Sequence, residues 1–149
     1  SRTEFFLAKA FVLASIALLQ VIISLVIAFI PATILNGFGT MPDGFIGNLL
    51  VTISLQFLCL LAWLSIVSFI LYVSHSYLAV FIGYLASSIL LSTPMLIFPS
   101  IKILPYLSLQ FFYAMTANSE SIFYTLIVTL AVIVIFNLSG LAVFKKKSL

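Results

Sequence analysis

The sequence predicts an all-α, polytopic membrane protein with four transmembrane helices and a proline-interrupted re-entrant hairpin on the outer side. Hydrophobic residues make up 64% of the 149-residue chain and charged residues 6%, whereas soluble domains are about 45 to 50% apolar. The charges also leave long gaps, between Lys9 and Asp43, between Asp43 and Lys102, and between Glu120 and Lys145. Because a charge at mid-bilayer costs about 2.5 to 3.5 kcal/mol, such gaps indicate membrane spans.

The four spans follow from length and from turn-forming residues. About 20 apolar helical residues cross the roughly 30 Å hydrocarbon core of a bilayer. The first span is expected to end before Pro31, because the segment from there to Asn48 is rich in Pro, Gly, Asn and Asp. A polar break at 74–76 divides the next uncharged stretch, and Ser119 or Asn118 can cap the last helix. We expect spans at about 10–30, 49–73, 77–98 and 121–144, in a single membrane domain over residues 1–149.

The basic residues predict the orientation of these spans. Four spans place both chain ends on one side, which then carries Arg2, Lys9 and Lys145 to Lys147, five of the six basic residues. By the positive-inside rule this side is cytoplasmic. Lys102 lies on the outer side with Asp43 and Glu120. We therefore expect an integral protein of the bacterial plasma membrane with both termini in the cytoplasm.

The segment between the third and fourth spans carries three prolines but stays apolar and aromatic. Pro94, Pro99 and Pro105 interrupt it. Two half-helices dipping into the outer leaflet, at about 95–103 and 106–116, account for both properties, provided that protein or water covers the irregular backbone. The alternative is an interfacial amphipathic segment anchored by Tyr106, Phe111, Phe112 and Tyr113.

Several chemical functions are not supported by the residues present. One His, one Cys and three separated carboxylates do not make a metal site. His75 is the only histidine available as a base, and neither a G-x-S-x-G elbow nor a phosphate-binding loop is present. The basic residues flank spans and form no patch of the kind that binds nucleic acid. The sequence therefore predicts no catalytic residue, no metal ligand and no nucleic-acid partner.

Mildly polar residues recur at spacings of three and four within the spans, which places them on single helix faces. They are interpreted either as a weakly polar translocation surface or as helix-packing and hydrogen-bonding positions. The candidates are Gln20, Ser24, Thr52, Gln56, Trp63, Thr125, Thr129 and Asn137. In the third span, Ala79, Gly83 and Ser87 form a small-residue ridge that favours close helix packing.

Residues 1–9 form a short amphipathic segment, with Arg2 near its start and Lys9 at the mouth of the first span. Together with the proline-rich segment and the basic tail, this pattern resembles the membrane subunits of type-2 ATP-binding-cassette exporters, which include peptide, lantibiotic-immunity and drug exporters. In that family a similar segment precedes the third of six membrane helices, and two re-entrant half-helices precede the last. The resemblance covers nearly the whole chain as the last four spans, and implies a fragment that lacks two N-terminal spans.

The resemblance implies a permease subunit that moves amphipathic or hydrophobic cargo such as a peptide, a drug or a lipid-like molecule. ATP and magnesium would be bound by a separate nucleotide-binding subunit, so this chain would carry no cofactor and catalyse no reaction itself. A second permease copy or half would complete the pathway. The segment that docks on the ATPase would present Arg2, Glu4, Phe5, Phe6 and Lys9.

Two other interpretations remain open at the level of sequence. Residues 1–9 are also suited to a juxtamembrane anchor attracted to anionic lipid. The whole chain is also compatible with a small structural or assembly membrane protein whose spans pack against partner helices. In a eukaryote, Lys146 and Lys147 would then read as an endoplasmic-reticulum retrieval signal.

Overall fold

The structure is a computed structural model that describes residues 2–37, 39, 43–110 and 118–146, except for the side chains of Arg2 and Asn36. Within these residues the secondary structure is helical throughout: α1 (Arg2–Asn36), α2 (Phe45–Ser74), α3 (Tyr77–Ile97), α4 (Leu104–Leu107) and α5 (Ser119–Lys146). All of them except α4 are long and apolar enough to cross a membrane. The chain is therefore an all-helical integral membrane protein with four candidate spans.

Helix α1 is longer than the predicted first span at both ends. It includes the predicted separate segment at its start, and it continues through Pro31 to Asn36. The expected end before Pro31 is therefore wrong, because proline removes only one backbone hydrogen bond and is tolerated in membrane helices. The helix ends instead at Gly37, which adopts a φ of 68° and donates its N–H to the Thr33 carbonyl at 2.9 Å.

A second proline lies inside α3, which continues through Pro94 to Ile97. The hydroxyl of Thr93 donates to the Ile89 carbonyl at 2.7 Å, one helical turn back. Residues 98–103, expected to belong to a half-helix, contain turns, and α4 ends at Leu107. Residues 111–116 of the second expected half-helix lie outside the described residues.

Helices α2 and α5 run parallel and form the centre of the bundle. One end of their interface joins Leu55 and Cys59 to residues of the first half of α5, and the other end joins Tyr72 to Phe144. Helix α1 packs on both, and α3 packs on α2. The start of α1 thus lies beside the ends of α2 and α5; we call this the termini end.

The core is small, as expected for a bundle that faces lipid. It is built on Ala62, Ile66, Leu109 and Val128, which are at most 4% exposed. Helix α3 has no buried residue among its 21, and α1 beyond Leu25 exposes most of its large apolar side chains. In water such surfaces would be unstable, whereas in a bilayer they contact acyl chains.

Candidate functional site: a cleft between α1, α2 and α5

A half-open cleft of about 420 Å³ lies between the first third of α1 and the second halves of α2 and α5. Its volume falls within the roughly 300 to 1,000 Å³ of small-molecule sites. The lining is apolar apart from Ser65, Ser68, Tyr72 and Asn137. The cleft is therefore suited to an apolar or amphipathic ligand and lies in the half of the bundle nearest the termini end.

Asn137 forms a polar bridge between α5 and α2 at the cleft. Its Nδ2 donates to Ser65 Oγ at 2.8 Å and to the Ile133 carbonyl at 2.8 Å. The Ser65 hydroxyl in turn donates to the Leu61 carbonyl at 2.8 Å. Because water is scarce at this depth, the bridge satisfies groups that would otherwise be costly to bury.

The orientation of the Asn137 amide follows from its partners. A backbone carbonyl can only accept a hydrogen bond, so the atom that faces the Ile133 carbonyl must be the nitrogen. Both amide protons are then used, and Oδ1 accepts no hydrogen bond from any described residue. This oxygen is the acceptor that remains for water or for a ligand hydroxyl.

Aromatic rings close the cleft at the termini end and join three helices. The Phe6 ring lies 5.5 Å from that of Tyr72 and 6.1 Å from that of Phe144, measured between centroids. Gly140 makes room for this cluster, because a Cβ there would meet Tyr72 Cδ2 at 3.4 Å and Phe6 Cζ at 3.7 Å. Phe6 is only 6% exposed as a result.

The termini end is also basic. Lys9 Nζ lies 4.6 Å from the centroid of the Phe5 ring, a cation–π contact, and Phe5 stacks on Phe144 with centroids 6.2 Å apart. The contact holds the Lys9 ammonium toward the end of α5, where Lys145 and Lys146 occupy the last turn. Positive charge therefore gathers at the end of the bundle where the aromatic rings close the cleft.

The residues predicted to couple to an ATPase differ in exposure. Glu4, Phe5 and Lys9 are exposed in the first turns of α1, whereas Phe6 is buried against α2 and α5. Arg2 lies in the first turn, and its side chain is outside the described residues. The segment is thus the start of a long helix that is tied to the bundle through Phe6.

The residues predicted to form a translocation surface lie at several positions on α1, α2 and α5. Asn137 alone among them lines the cleft. Gln20 and Ser24 are exposed on the outside of α1, where the Ser24 hydroxyl donates to the Gln20 carbonyl at 2.8 Å. The remaining candidates, Thr52, Gln56, Trp63, Thr125 and Thr129, lie elsewhere on α2 and α5.

Two of these remaining candidates contribute to the core. Thr129 is 1% exposed and donates its hydroxyl to the Thr125 carbonyl at 2.6 Å. Thr125 is 4% exposed, and its own hydroxyl has no hydrogen-bond partner within the described part of the chain. Both side chains belong to the buried stripe of α5.

Trp63 connects α2 to the segment that follows α4. Its indole Nε1 donates to the Leu109 carbonyl at 3.2 Å, and its ring lies edge-on to Tyr84 at 5.0 Å. Trp63 is the eighteenth residue after Phe45, which starts α2, so it lies about 27 Å along that helix. The segment around Leu109, which is 3% exposed, therefore reaches deep into the bundle.

The small-residue ridge of α3 lies on the side that is partly buried. Ala79, Gly83 and Ser87 are all half-buried, in a helix whose other faces are largely exposed. A Cβ at Gly83 would meet Ile70 Cδ1 of α2 at 3.0 Å. The ridge therefore serves the contact between α2 and α3 within this chain.

At the opposite end, Lys102 and Glu120 form an exposed ion pair with Nζ and Oε1 2.8 Å apart. The hydrogen bond to Glu120, helped by the attraction between the two charges, raises the pKa of Lys102 above its ordinary value of 10.5. Because both side chains are exposed, the pair is screened by solvent and contributes little to stability.

Three polar residues of the cleft are not among the sequence-predicted site residues. Ser65, Ser68 and Tyr72 follow one another at spacings of three and four on α2, so one helical face carries them. That spacing is a signal that was available in the sequence. No group of three metal-binding side chains is found among the described residues.

Comparisons with models of protein families, with curated proteins and with solved structures give no match for this chain. The helices and the cleft define the class of protein: a polytopic helical membrane protein with a half-open apolar cleft near the end where the start of α1 lies beside the ends of α2 and α5.

Proposed function

We propose that this chain is the membrane-spanning permease subunit of an ATP-driven exporter, and that it moves amphipathic or hydrophobic cargo such as a peptide, a drug or a lipid-like molecule. The observation that carries the proposal is the double position of Phe6. This residue belongs to the segment that the sequence resemblance assigns to ATPase docking, and it also lines the cleft. A single element thus links an energy-coupling surface to a binding cavity.

The mechanism follows from the continuity of α1. The docking segment and the cleft-lining residues Ala10 and Leu13 belong to one uninterrupted helix. Movement of its first turn by a nucleotide-binding subunit displaces those residues relative to α2 and α5. The cleft then widens or narrows, which is the change that alternating access to a bound cargo requires. ATP and magnesium act on the partner subunit, and this chain supplies the binding surface.

The chemistry of the cleft supports the cargo class. The lining is largely apolar, and the main polar bridge, between Asn137 and Ser65, is satisfied within the protein. No charged side chain is among the described residues that line the cleft. Such a surface binds alkyl or aromatic groups and rejects small ions and sugars, whose hydration it cannot replace.

We assign the described segment around Ser108 and Leu109, which follows α4, to a re-entrant element on the outer side. The buried positions of Ser108 and Leu109, and the hydrogen bond from Trp63 to the Leu109 carbonyl, support this assignment. The termini then face the cytoplasm of a bacterial cell, in agreement with the basic residues at that end. A second permease copy or half encloses the pathway.

A structural or assembly protein is the second candidate. The exposed apolar half of α1, beyond Leu25, is the observation that favours it, since a partner helix would cover such a surface. The small-residue ridge of α3 gives no support to a role in assembly, because Gly83 already packs on Ile70 within this chain.

Co-purification of the full-length protein from its native membrane tests the proposal first. We expect a nucleotide-binding subunit to accompany the protein and to hydrolyse ATP. Purification that repeatedly yields no such subunit would contradict the proposal and favour the assembly role.

A cross-linking experiment on the reconstituted complex then tests the mechanism. In a Cys59→Ala background, Phe5→Cys and Phe144→Cys are joined by a cleavable linker, which fixes α1 to α5 at the termini end. We expect ATP-dependent export of a fluorescent hydrophobic cargo to stop and to return when the linker is cleaved. The matched control joins Lys102→Cys to Glu120→Cys at the opposite end. Export that continues with the first linker in place would refute coupling through α1.

A further inference from the structure

We infer that the ligand of the cleft is an anionic phospholipid, with an acyl chain between α1 and α5 and its phosphate at the basic termini end. As a statement about cargo, this deepens the proposed function and rests on it. As a statement about binding, it depends only on the cleft and on the charges at the termini end, and it can be tested without ATP or a partner subunit.

The rim of the cleft opens onto the lipid-facing surface. Leu7 on α1 and Val134 and Leu138 on α5 line the cavity and are 60%, 54% and 62% exposed. These side chains belong at once to the cleft wall and to the outer surface of the bundle. An acyl chain can therefore enter sideways from the bilayer, without passing through water.

The interior of the cleft matches a flexible alkyl chain better than a polar molecule. Ala10 and Leu13 on α1 and Leu61 and Leu64 on α2 present only hydrocarbon. The hydroxyl of Ser65 is engaged by Leu61 and Asn137. A chain seated there exchanges lipid contacts for protein contacts, so selectivity must come from the headgroup.

The charges at the termini end, beside the closed end of the cleft, supply that selectivity. Lys9, Lys145 and Lys146 contribute three positive charges, Glu4 contributes one negative charge, and the balance among these described side chains is 3 − 1 = +2. The Lys9 ammonium is held over the Phe5 ring, and Lys9 is next in sequence to the cleft-lining Ala10 and one helical turn from the cleft-lining Leu13. Basic groups beside a gap between membrane helices favour anionic headgroups over zwitterionic ones.

The test compares two phospholipids that share the same palmitoyl and oleoyl chains. The purified full-length protein in a non-ionic detergent is titrated with phosphatidylglycerol or with phosphatidylcholine, and bound lipid is counted by native mass spectrometry. We expect phosphatidylglycerol to bind at concentrations at least tenfold lower. Inorganic phosphate should not compete, because it lacks the chain. Equal binding of the two lipids, or displacement by phosphate, would overturn the inference.

Two sets of variants separate the chain from the headgroup. Ala10→Phe fills the cleft and should abolish the binding of phosphatidylglycerol. Ala8→Phe makes the same change on the exposed face of α1 and should have no effect on binding. Replacing Lys9, Lys145 and Lys146 by Gln should reduce binding roughly fivefold per lysine and remove the preference for phosphatidylglycerol. Lys102→Gln, at the opposite end, is the charge control.

A further measurement protects the result against misfolding of the Ala10→Phe variant. A phosphatidylglycerol with a photoreactive group at the end of one chain is cross-linked to the unmodified protein, and the labelled peptides are mapped. Labels on α1 around Leu13 and on α5 around Val134 support the site. Labels spread over exposed α3 would refute it, while the proposed export function would remain to be judged by its own cross-linking test.

Discussion

The hydrogen bond between Asn137 and Ser65 gives the most direct prediction about what holds α5 to α2. Replacing each residue by Ala, singly and together, isolates the energy of the pair. Interhelical hydrogen bonds in membranes average about 0.6 kcal/mol and reach about 1.7 kcal/mol in such cycles. Here Nδ2 also donates to the Ile133 carbonyl at 2.8 Å, so the amide keeps one partner when Ser65 is removed. We therefore expect a coupling energy of about 0.6 to 1 kcal/mol.

The free energy of unfolding of the four proteins is measured by titration with sodium dodecyl sulfate in mixed micelles. The control cycle pairs Asn137→Ala with Ser54→Ala, because Ser54 is an exposed residue of α2 whose hydroxyl bonds its own Leu50 carbonyl at 2.8 Å. The control should be additive within about 0.3 kcal/mol. A coupling for Ser65 that is no larger than that of the control would show that the bridge does not stabilise the bundle.

Three further predictions concern other contacts. Gly140→Val should destabilise the bundle by about 1 to 3 kcal/mol, because the methyl groups of the valine extend beyond a Cβ that would already lie 3.4 Å from the Tyr72 ring. Gly140→Ala is the control. Equal stability of the two variants in the same detergent titration would contradict this packing. Thr125→Val should leave stability unchanged or raise it by up to about 1 kcal/mol, since it replaces a buried hydroxyl without a described partner by a methyl group of similar shape. A loss of stability would mean that the Thr125 hydroxyl does make a hydrogen bond. Glu120→Gln should lower the pKa of Lys102 toward its ordinary value in an NMR titration. Since the pKa of Lys102 is raised in the folded protein, the contribution of the pair to stability is complete below pH 10.5 and is lost as the pH rises through the raised pKa. An unchanged titration curve would contradict the ion pair.

The number of spans could be predicted from the sequence because charges report directly on the membrane solvent. The charges leave three long gaps, and the polar break at 74–76 divides the longest of them, which predicts four spans. Four candidate spans are found among the described residues. The positions at which the helices end were harder to predict from the sequence. Pro31 was expected to stop a helix, but it lies inside α1, since the cost of one lost hydrogen bond is smaller than that of exposing backbone in lipid. Pro94 lies inside α3 in the same way, as the predicted third span implied.

The candidate site was less predictable than the fold, for a physical reason. In a soluble protein the apolar face of a helix points to the core, whereas in a membrane both the core and the lipid face are apolar. Polarity alone therefore did not distinguish Gln20, which is exposed, from Asn137, which lines the cleft. The pairing of Asn137 with Ser65 depends on the parallel alignment of α2 and α5, which no local spacing encodes.

The aromatic cluster at the termini end has a consequence for the whole molecule. Phe6 is the buried residue of the first turns of α1, and its ring contacts both Tyr72 and Phe144. A force applied to the exposed neighbours Phe5 and Lys9 is therefore transmitted to α2 through Phe6, and to α5 through Phe6 and through the stacking of Phe5 on Phe144. Because the Phe6 side chain lines the cleft, the shape of the cleft cannot be independent of the position of that first turn. The start of α1 and the cleft are thus mechanically one unit.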